Sequence, residues 1–294
     1  MSSFFTYVFN GISLGSVYAI IALGYTMVYG IAKMLNFAHG DVIMIGGYVL
    51  FSMIYGSGTN VFAALIVAMV VCTVLGVVIE KVAYKPLREA SSLAVLITAI
   101  GVSILLQNIA QLIFTSQPKM FRNPIKLGSV KMFGANIEGS TILMIVLGII
   151  IVVALSIFIR KTKTGRAMLA VSEDKDAAKL MGINVNTTIT ITFAIGSALA
   201  ALASLLMFNA YPSLIPTSGS MPGIKAFVAA VFGGIGSIPG AMVGGIVLGI
   251  IEVLSGAYIP NGTKLANAIV FVVLIVVLIF KPTGLFGEKI KEKV

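Results

Sequence analysis

Residues 11–31 read GISLGSVYAIIALGYTMVYGI, a run of 21 residues without a charged side chain. The hydrocarbon core of a bilayer is about 30 Å thick and needs roughly 20 helical residues to cross it, so this run is long enough to span a membrane. Similar uncharged runs follow at residues 61–79, 90–117, 139–159, 187–210 and, shorter, 265–280. They lack the alternating apolarity of membrane-barrel strands. The pattern predicts an all-α polytopic membrane protein.

The composition indicates the same class of protein. Apolar residues make up 59% of the chain and charged residues only 10%, whereas soluble domains carry about 25% charged residues. The formal net charge of +10 does not indicate a nucleic-acid partner, because the basic residues lie at span ends and form no stripe. It indicates loops that face anionic membrane lipid. Residues 1–10 lack the basic segment of a cleaved signal, so we expect the first span to be retained.

The positions of the basic residues predict the orientation of the chain. If the N-terminus lies outside and the spans alternate in direction, 14 of the 20 Lys and Arg residues fall in inside loops. Inside loops of membrane proteins are enriched in these residues. We therefore expect an inner-membrane protein with an external N-terminus and a cytoplasmic C-terminus. This assignment requires two irregular segments each to cross the membrane.

The two irregular segments are residues 42–55, VIMIGGYVLFSMIY, and residues 226–251, which several glycines interrupt. Each follows the first full span of its half, and those two full spans run in opposite directions. Short or broken segments at matching positions predict an inverted repeat with the substrate path at the breaks. Counting both segments, we expect about eight or nine transmembrane helices. Whether residues 226–251 form one bent helix or a short segment plus a span stays open.

Three glycines of the second segment recur at helical spacing: Gly244, Gly245 and Gly249. They are compatible with a break in the substrate path or with close packing between helices. Small residues are common where membrane helices touch. We favour the packing interpretation for these three.

The longest inside loop, residues 160–186, carries the signals of a helix. Ser172 is placed to cap a helix that begins at Glu173, and Gly182 is placed to end it. The pattern predicts a short cytoplasmic helix of about three turns, with Leu180 and Met181 available for apolar contact.

Two roles for this helix remain open. It could lie on lipid headgroups, or it could insert into the groove of a partner protein. The acidic side chains of Glu173, Asp174 and Asp176 suit an anionic leaflet poorly, which favours the protein partner.

The segment Asp176-Ala177-Ala178-x-x-x-Gly182 resembles a known loop, Glu-Ala-Ala-x-x-x-Gly, with Asp in place of Glu. Through that loop the permeases of ATP-binding-cassette (ABC) importers contact their ATPase subunits. The wider loop is similar to that of the branched-chain amino-acid permeases of the LivH type. Three further segments match that family in the expected order: residues 35–41 (LNFAHGD), 230–241 (AVFGGIGSIPGA) and 281–287 (KPTGLFG). The resemblance runs from about Gly11 to Gly287.

We expect one transmembrane permease domain over residues 1–294, because the hydropathy pattern leaves no room for a soluble domain. Its parts are a first half at about 11–117, a linking span at 139–159, a cytoplasmic coupling loop at 160–186, and a second half at about 187–281. The residues of that loop implied to act in coupling to an ATPase are Gly165, Arg166, Asp174, Asp176, Ala177, Ala178 and Gly182.

The sequence contains no Gly-x-x-x-x-Gly-Lys-Ser/Thr run to hold ATP phosphates. We therefore expect ATP hydrolysis on other subunits, no enzyme activity in this chain and no cofactor. The resemblance implies two cytoplasmic ATPases, a second related permease in a homo- or heterodimer, and an extracytoplasmic amino-acid-binding protein. It also implies leucine, isoleucine and valine as substrates, although a path with few charges would suit other small solutes too.

Candidate residues of the substrate path lie at the two breaks and in the following span. They are Asn36, His39, Asp41, Gly234, Gly236, Pro239 and Glu252. Asp41 is placed to cap the helix of residues 42–55. His39 titrates near neutral pH and could relay protons, but we favour a hydrogen-bonded fixture because no second ionisable group forms a clear chain with it. One His and one Asp are too few ligands for a metal site.

Lys225 and Glu252 each have two interpretations. Either residue could face the substrate path, and Lys225 could meet a substrate carboxylate. Alternatively, both reach the membrane interface, with Lys225 as a snorkelling anchor. We favour the interface for both.

Two other functions remain as alternatives. An ion-coupled secondary transporter would use His39, Asp41 and Glu252, and an ABC permease could carry another small solute. An intramembrane enzyme would need paired catalytic groups within the bilayer, and the sequence shows no such pair.

Overall fold

The computed structural model describes residues 2–122, 127–132 and 135–287. The helices are α1 (Ser2–Ala32), α2 (His39–Phe51), α3 (Val61–Ile79), α4 (Ser92–Phe114), α5 (Gly139–Lys161), α6 (Lys163–Glu173), α7 (Lys175–Leu180), α8 (Val185–Ala210), α9 (Ser220–Gly233), α10 (Ile238–Tyr258) and α11 (Gly262–Phe280). The strands are β1 (Lys119–Met120), β2 (Ser129–Met132), β3 (Ala135–Glu138) and β4 (Ser213–Leu214). π-Helical turns extend α2 over Ser52–Gly56 and α3 over Glu80–Tyr84, and a 3₁₀ turn follows at Lys85–Leu87.

Seven helices are long and apolar enough to cross a membrane: α1, α3, α4, α5, α8, α10 and α11. The two shorter helices, α2 with its π-helical turn and α9, lie at the irregular segments noted in the sequence. Besides α6 and α7, the described part of the chain therefore has nine helices, the seven long ones and these two. The prediction of an all-α polytopic membrane protein with about eight or nine helices is confirmed.

The second irregular segment is two helices rather than one bent helix. The chain leaves α9 at Gly234 and re-enters a helix at Ile238. Gly234 and Gly236 have φ angles of +105° and +96°, values that only glycine adopts readily. Ser237 caps α10 by accepting a hydrogen bond from the Gly240 N–H at 3.1 Å, and Pro239 lies in the first turn, where its missing N–H costs no helix hydrogen bond.

The core of the bundle is built around α1 and α8, the two most buried of the long helices. α11 is the least buried and lies at the edge. Apolar side chains of α4 and α11 project outward: Leu112 of α4 is 84% exposed and Ile279 of α11 is 72% exposed. In a bilayer such positions contact lipid or another apolar subunit.

Helix contacts repeat in a way that the inverted repeat predicts. α1 packs on α10 and α9, and α8, its counterpart in the second half, packs on α3 and α2. α9 contacts α11 as α2 contacts α4. Exchanging the first four membrane helices with the last four maps these contacts onto one another, whereas the contact of α10 with α11 has no counterpart of similar extent between α3 and α4. α1 and α8 also pack on each other.

The starts of the two short helices meet inside the bundle. A Cβ on Gly40, in α2, would lie 2.4 Å from the carbonyl oxygen of Gly219, just before α9. His39 packs against Gly24, which lies eight residues before the end of α1. At 1.5 Å per residue, that places the start of α2 about 12 Å inside the bundle.

The glycines of α10 allow close helix contact. A Cβ on Gly249 would lie 2.3 Å from the backbone nitrogen of Gly15 in α1, and one on Gly245 would lie 2.5 Å from that of Ala19. A Cβ on Gly244 would lie 2.1 Å from the carbonyl oxygen of Ala229 in α9. The packing interpretation of these three glycines is confirmed.

Candidate functional site

The loops of the chain gather at two opposite ends of the bundle. One end, here called the α7 end, holds α6 and α7, the end of α1 and the break between α9 and α10. The other, the hairpin end, holds the β2–β3 hairpin, the β1–β4 pair and the contact of Tyr7 with Tyr258. The sequence assigns each loop to one side of the membrane. In the structure, loops that are assigned to the same side lie at the same end of the bundle.

The loop of residues 160–186 forms two helices rather than the single three-turn helix expected from the sequence. Ser172 lies inside α6, where its hydroxyl donates to the carbonyl of Leu169 at 2.7 Å, so its predicted role as a cap is wrong. The cap of α7 is Asp174, whose carboxylate accepts the N–H groups of Asp176 at 2.8 Å and Ala177 at 2.9 Å. Thr162 caps α6 in the same way through the Gly165 N–H.

Gly182 ends α7 as the sequence predicts. Its φ angle is +82°, and the Ile183 N–H returns to the carbonyl of Ala178 at 3.0 Å. This left-handed turn is a usual helix terminus for glycine. Leu180 and Met181, beside it, are 88% and 83% exposed. Two large apolar side chains therefore project from the α7 end.

The other predicted coupling residues divide by exposure. Gly165 and Ala178 are buried. A Cβ on Gly165 would lie 2.4 Å from the Ile159 backbone, so glycine is required for α6 to fold against the end of α5. The exposed members are Arg166, Asp174, Asp176, Ala177 and Gly182.

Lys175 fixes α7 to the bundle. Its ammonium donates to the carbonyl of Ala32, the last residue of α1, at 2.9 Å. Burial, and then the charges of Arg88 and Lys33, lower the pKa of Lys175 below its usual value. The contact stabilises an otherwise unpaired carbonyl at a helix end. The contact therefore ties α7 to the end of α1.

A second polar cluster at the α7 end was missed in the sequence. Glu80, fully buried, pairs with Arg88 and accepts the Thr190 hydroxyl at 2.8 Å. Arg88 also donates to Asn186 near the start of α8. The cluster joins the end of α3 to the start of α8. Because its members are up to 110 residues apart, no local pattern could have revealed it.

The path candidates at the first break are buried. Asn36 is 3% exposed and accepts the Tyr84 hydroxyl at 3.0 Å. His39 is 1% exposed and meets the Tyr25 ring edge-on, with centroids 4.9 Å apart. The His39 Nε2 atom has no hydrogen-bond partner among the described residues. The roles of His39 as a hydrogen-bonded fixture or as a proton relay both stay predictions.

Asp41 does not cap the helix that follows, because α2 already begins at His39. Its carboxylate accepts the side-chain amide of Gln107 in α4 at 2.9 Å. The same amide lies 3.1 Å from the hydroxyl of Ser220, the first residue of α9. Asp41 and Gln107 thereby link α2, α4 and α9.

The path candidates at the second break, Gly234, Gly236 and Pro239, form the turn between α9 and α10. The segment after α11 covers this turn: the Leu285 N–H donates to the Phe232 carbonyl at 2.9 Å and the Phe286 N–H to that of Gly233 at 2.8 Å. Residues 281–287 therefore cover the turn between α9 and α10 and bond to the end of α9.

Lys225 and Glu252 are not the separate, outward-reaching side chains expected from the sequence, because they pair with each other inside the bundle. Lys225 Nζ lies 2.6 Å from Glu252 Oε1, and the two side chains are only 8% and 14% exposed. The Tyr18 hydroxyl lies 3.0 Å from the other Glu252 oxygen and 3.3 Å from Lys225 Nζ. The pair is an ion pair inside the bundle, joining α9, α10 and α1.

The described residues contain no group of three or more His, Cys, Asp or Glu side chains that could hold a metal ion.

Seven membrane-length helices, with two short helices that start inside the bundle, are typical of multi-pass membrane transport proteins. Residues 7–278 match the family described as "Branched-chain amino acid transport system / permease component". The chain belongs to this family.

Curated relatives match over nearly the whole chain. The high-affinity branched-chain amino acid transport system permease protein LivH of Escherichia coli (strain K12) is 45% identical, over 99% of this chain and 98% of its own. The corresponding permease protein BraD of Pseudomonas aeruginosa is 43% identical, over 97% and 96%. Among solved structures, "PsaBC from Streptococcus pneumoniae in complex with Fab" is similar with a TM-score of 0.49, at 16% identity over 93% of this chain and 91% of its own.

Proposed function

We propose that this chain is a membrane-spanning subunit of an ATP-driven importer of branched-chain amino acids. It forms part of the substrate path and works with a second related permease subunit, two cytoplasmic ATPases and an extracytoplasmic amino-acid-binding protein. It lies in the cell inner membrane with the N-terminus outside and the C-terminus in the cytoplasm. Energy enters through α7 from nucleotide hydrolysis on the partner subunits.

The observation that carries this proposal is the construction of α7. A six-residue helix is too short to be stable alone, yet this one is capped by Asp174 and tied to α1 by Lys175. It nevertheless leaves Leu180 and Met181 exposed. An ordered, anchored helix with exposed apolar side chains fits insertion into a groove of a partner.

The acidic side chains of α7 favour a protein partner over lipid. Asp174 and Asp176 are exposed beside the apolar pair, and an anionic leaflet would repel them. The resemblance of residues 176–182 to the ATPase-contacting loop of ABC permeases supports the same assignment. The coupling residues are those given above, with Gly165 and Ala178 holding the two helices in place.

The substrate class rests on the family and on the names of the relatives, which are branched-chain amino acid permeases. The membrane spans contain few charged side chains, and a path of this kind suits a solute with an apolar side chain. The alternative of an ion-coupled transporter has less support. In the described structure His39, Asp41 and Glu252 each contact a different partner, Tyr25, Gln107 and Lys225, so these contacts do not join them into one chain of ionisable groups.

We also propose that one domain comprises two halves, at about 11–117 and 187–281, joined by the linking span and the coupling loop. The exchange of helix contacts between the halves supports this division. The breaks at Asn36–Asp41 and Gly234–Pro239 then occupy corresponding places near the path.

The coupling role can be tested at Gly182. A valine there would strain the left-handed turn by about 1–2 kcal/mol without a steric clash, because nothing lies within 4 Å of the Cβ position. In vesicles holding the complete importer, we expect Gly182→Val to lower amino-acid uptake per ATP hydrolysed by roughly tenfold, which corresponds to about 1.4 kcal/mol.

The matched control is Gly182→Asn, since asparagine tolerates a left-handed conformation. Its ratio of uptake to hydrolysis should stay close to that of the unmodified chain. An unchanged ratio in Gly182→Val would contradict the coupling role of α7.

A further inference from the structure

The ion pair of Lys225 and Glu252 occupies an unusual position for charge. Lys225 lies in α9, Glu252 in α10, and Tyr18 of α1 touches both. Glu252 lies six residues before the end of α10 at the hairpin end, a distance of about 9 Å along the helix. Among the described residues the other ion pair, Glu80 with Arg88, lies at the α7 end, and Lys225 and Glu252 lie farther from that end.

Ionisable side chains inside a membrane protein are costly and usually functional. A pair of opposite charges in a dry interior gains little stability over well-packed apolar side chains of similar size. α9 and α10 already hold together through the close contact at Gly244 and Ala229. The ion pair of Lys225 and Glu252 is therefore not needed to hold α9 against α10.

We propose that Lys225 and Glu252 form a binding station for the charged head of a zwitterionic amino acid in the substrate path. The Lys225 ammonium binds the α-carboxylate of the substrate and the Glu252 carboxylate binds its α-ammonium. The two side chains exchange their mutual ion pair for these contacts, and they pair again after the substrate leaves. This inference rests on the proposed function.

The charges of the pair are complementary to the charges of an amino acid. Both have one positive and one negative group held a few ångströms apart, so four charges can alternate in a compact ring. With the substrate bound, the interior then contains no unpaired charge, which is the state that membrane interiors disfavour most. Tyr18, within hydrogen-bond reach of both side chains, can hold either one while the pair is open.

The pair is incompletely buried on the Glu252 side, where the side chain retains 14% exposure. Glu252 also lies nearer to the hairpin end than the breaks do, about 9 Å along α10 from the end of that helix. A substrate released at the hairpin end, the external end on the proposed topology, therefore reaches Glu252 before it reaches the breaks at the α7 end.

The test compares leucine uptake and ATP hydrolysis in vesicles that contain the whole importer and leucine-loaded binding protein. The double variant Lys225→Met with Glu252→Leu replaces the pair by apolar side chains and leaves no buried charge unpaired. We expect it to assemble and to hydrolyse ATP at a rate within about twofold of the unmodified importer, while leucine uptake falls at least about tenfold, in keeping with loss of a buried charge contact. Leucine uptake within about twofold of the unmodified importer would overturn the inference, because purely structural charges can be replaced in this way.

A second variant tests the inference if the double variant does not assemble. Glu252→Gln is nearly isosteric and can still accept hydrogen bonds from Tyr18 and Lys225, but it cannot neutralise a substrate ammonium. The same loss of uptake per ATP is expected, and an unchanged ratio would overturn the inference. If the unmodified importer itself takes up no branched-chain amino acid, the proposed function fails instead, so the two failures are distinguishable.

Discussion

Asp174 shows how a single side chain positions the proposed coupling helix. Its carboxylate accepts two backbone N–H groups at the start of α7, and the helix it starts contains only six residues. Few other local contacts hold a helix of that length, so the cap contributes a large share of its stability. The neighbouring Ser172 contributes nothing of this kind, since its hydroxyl bonds within α6.

Replacing Asp174 by alanine should therefore loosen α7. We expect a loss of about 1 kcal/mol in the local stability of residues 175–182, measured as faster amide hydrogen exchange of this segment in the purified importer. Ser172→Ala is the matched control and should leave exchange in the segment unchanged. Equal effects of the two substitutions would show that α7 is not capped by Asp174.

Only part of the site could be predicted at this scale from the sequence. The turn at Gly182 follows from local chemistry and was predicted correctly. The capping of α7 was assigned to Ser172 because α6 was not anticipated, since Gly165 disfavours a helix unless tertiary packing requires it. The partners of Asp41 and Lys225, Gln107 and Glu252, are brought near by the fold, and no sequence pattern marks them.

At the scale of elements, the contact between α1 and α10 depends on glycine. The backbones of Gly15 and Gly249 approach so closely that a Cβ on Gly249 would lie 2.3 Å from the Gly15 nitrogen and 2.5 Å from the Gly11 carbonyl oxygen. Backbone atoms cannot move aside as a flexible side chain can. This contact holds the second half of the chain against the most buried helix of the first.

We expect Gly249→Ala to destabilise the protein by about 1–3 kcal/mol, the usual cost of overpacking. Thermal unfolding in detergent should report it as a lower midpoint. Gly256→Ala, in the same helix, is the control, because its Cβ would meet only Thr263 at 3.8 Å. Similar midpoints for the two variants would contradict the close contact of α1 with α10.

The elements themselves were largely predictable, and their breaks were only partly so. Six uncharged runs correspond to α1, α3, α4, α5, α8 and α11 because span length is set by bilayer thickness. The sequence could not separate α9 from α10, since glycines permit both a tight turn and close packing. The positive φ angles of Gly234 and Gly236 decide that question in favour of a turn.

At the scale of the whole molecule, the two ends of the bundle differ in a way that suits the proposed function. The α7 end carries the exposed side chains of Leu180 and Met181 and the buried Glu80–Arg88 cluster, which ties α3 to α8. The hairpin end lies nearer the Lys225–Glu252 pair. Nucleotide-driven movement at one end and substrate entry at the other require that these ends face opposite sides of the membrane.

Labelling from the two sides of the membrane tests most directly whether the two ends of the bundle face opposite sides. In a Cys72→Ser background, Lys179→Cys marks the α7 end and Lys131→Cys the hairpin end, both at exposed positions. The account predicts that an impermeant thiol reagent added outside intact cells labels Lys131→Cys, and that it labels Lys179→Cys only after the membrane is opened. Labelling of Lys179→Cys in intact cells would contradict it, since α7 could then not meet a cytoplasmic ATPase.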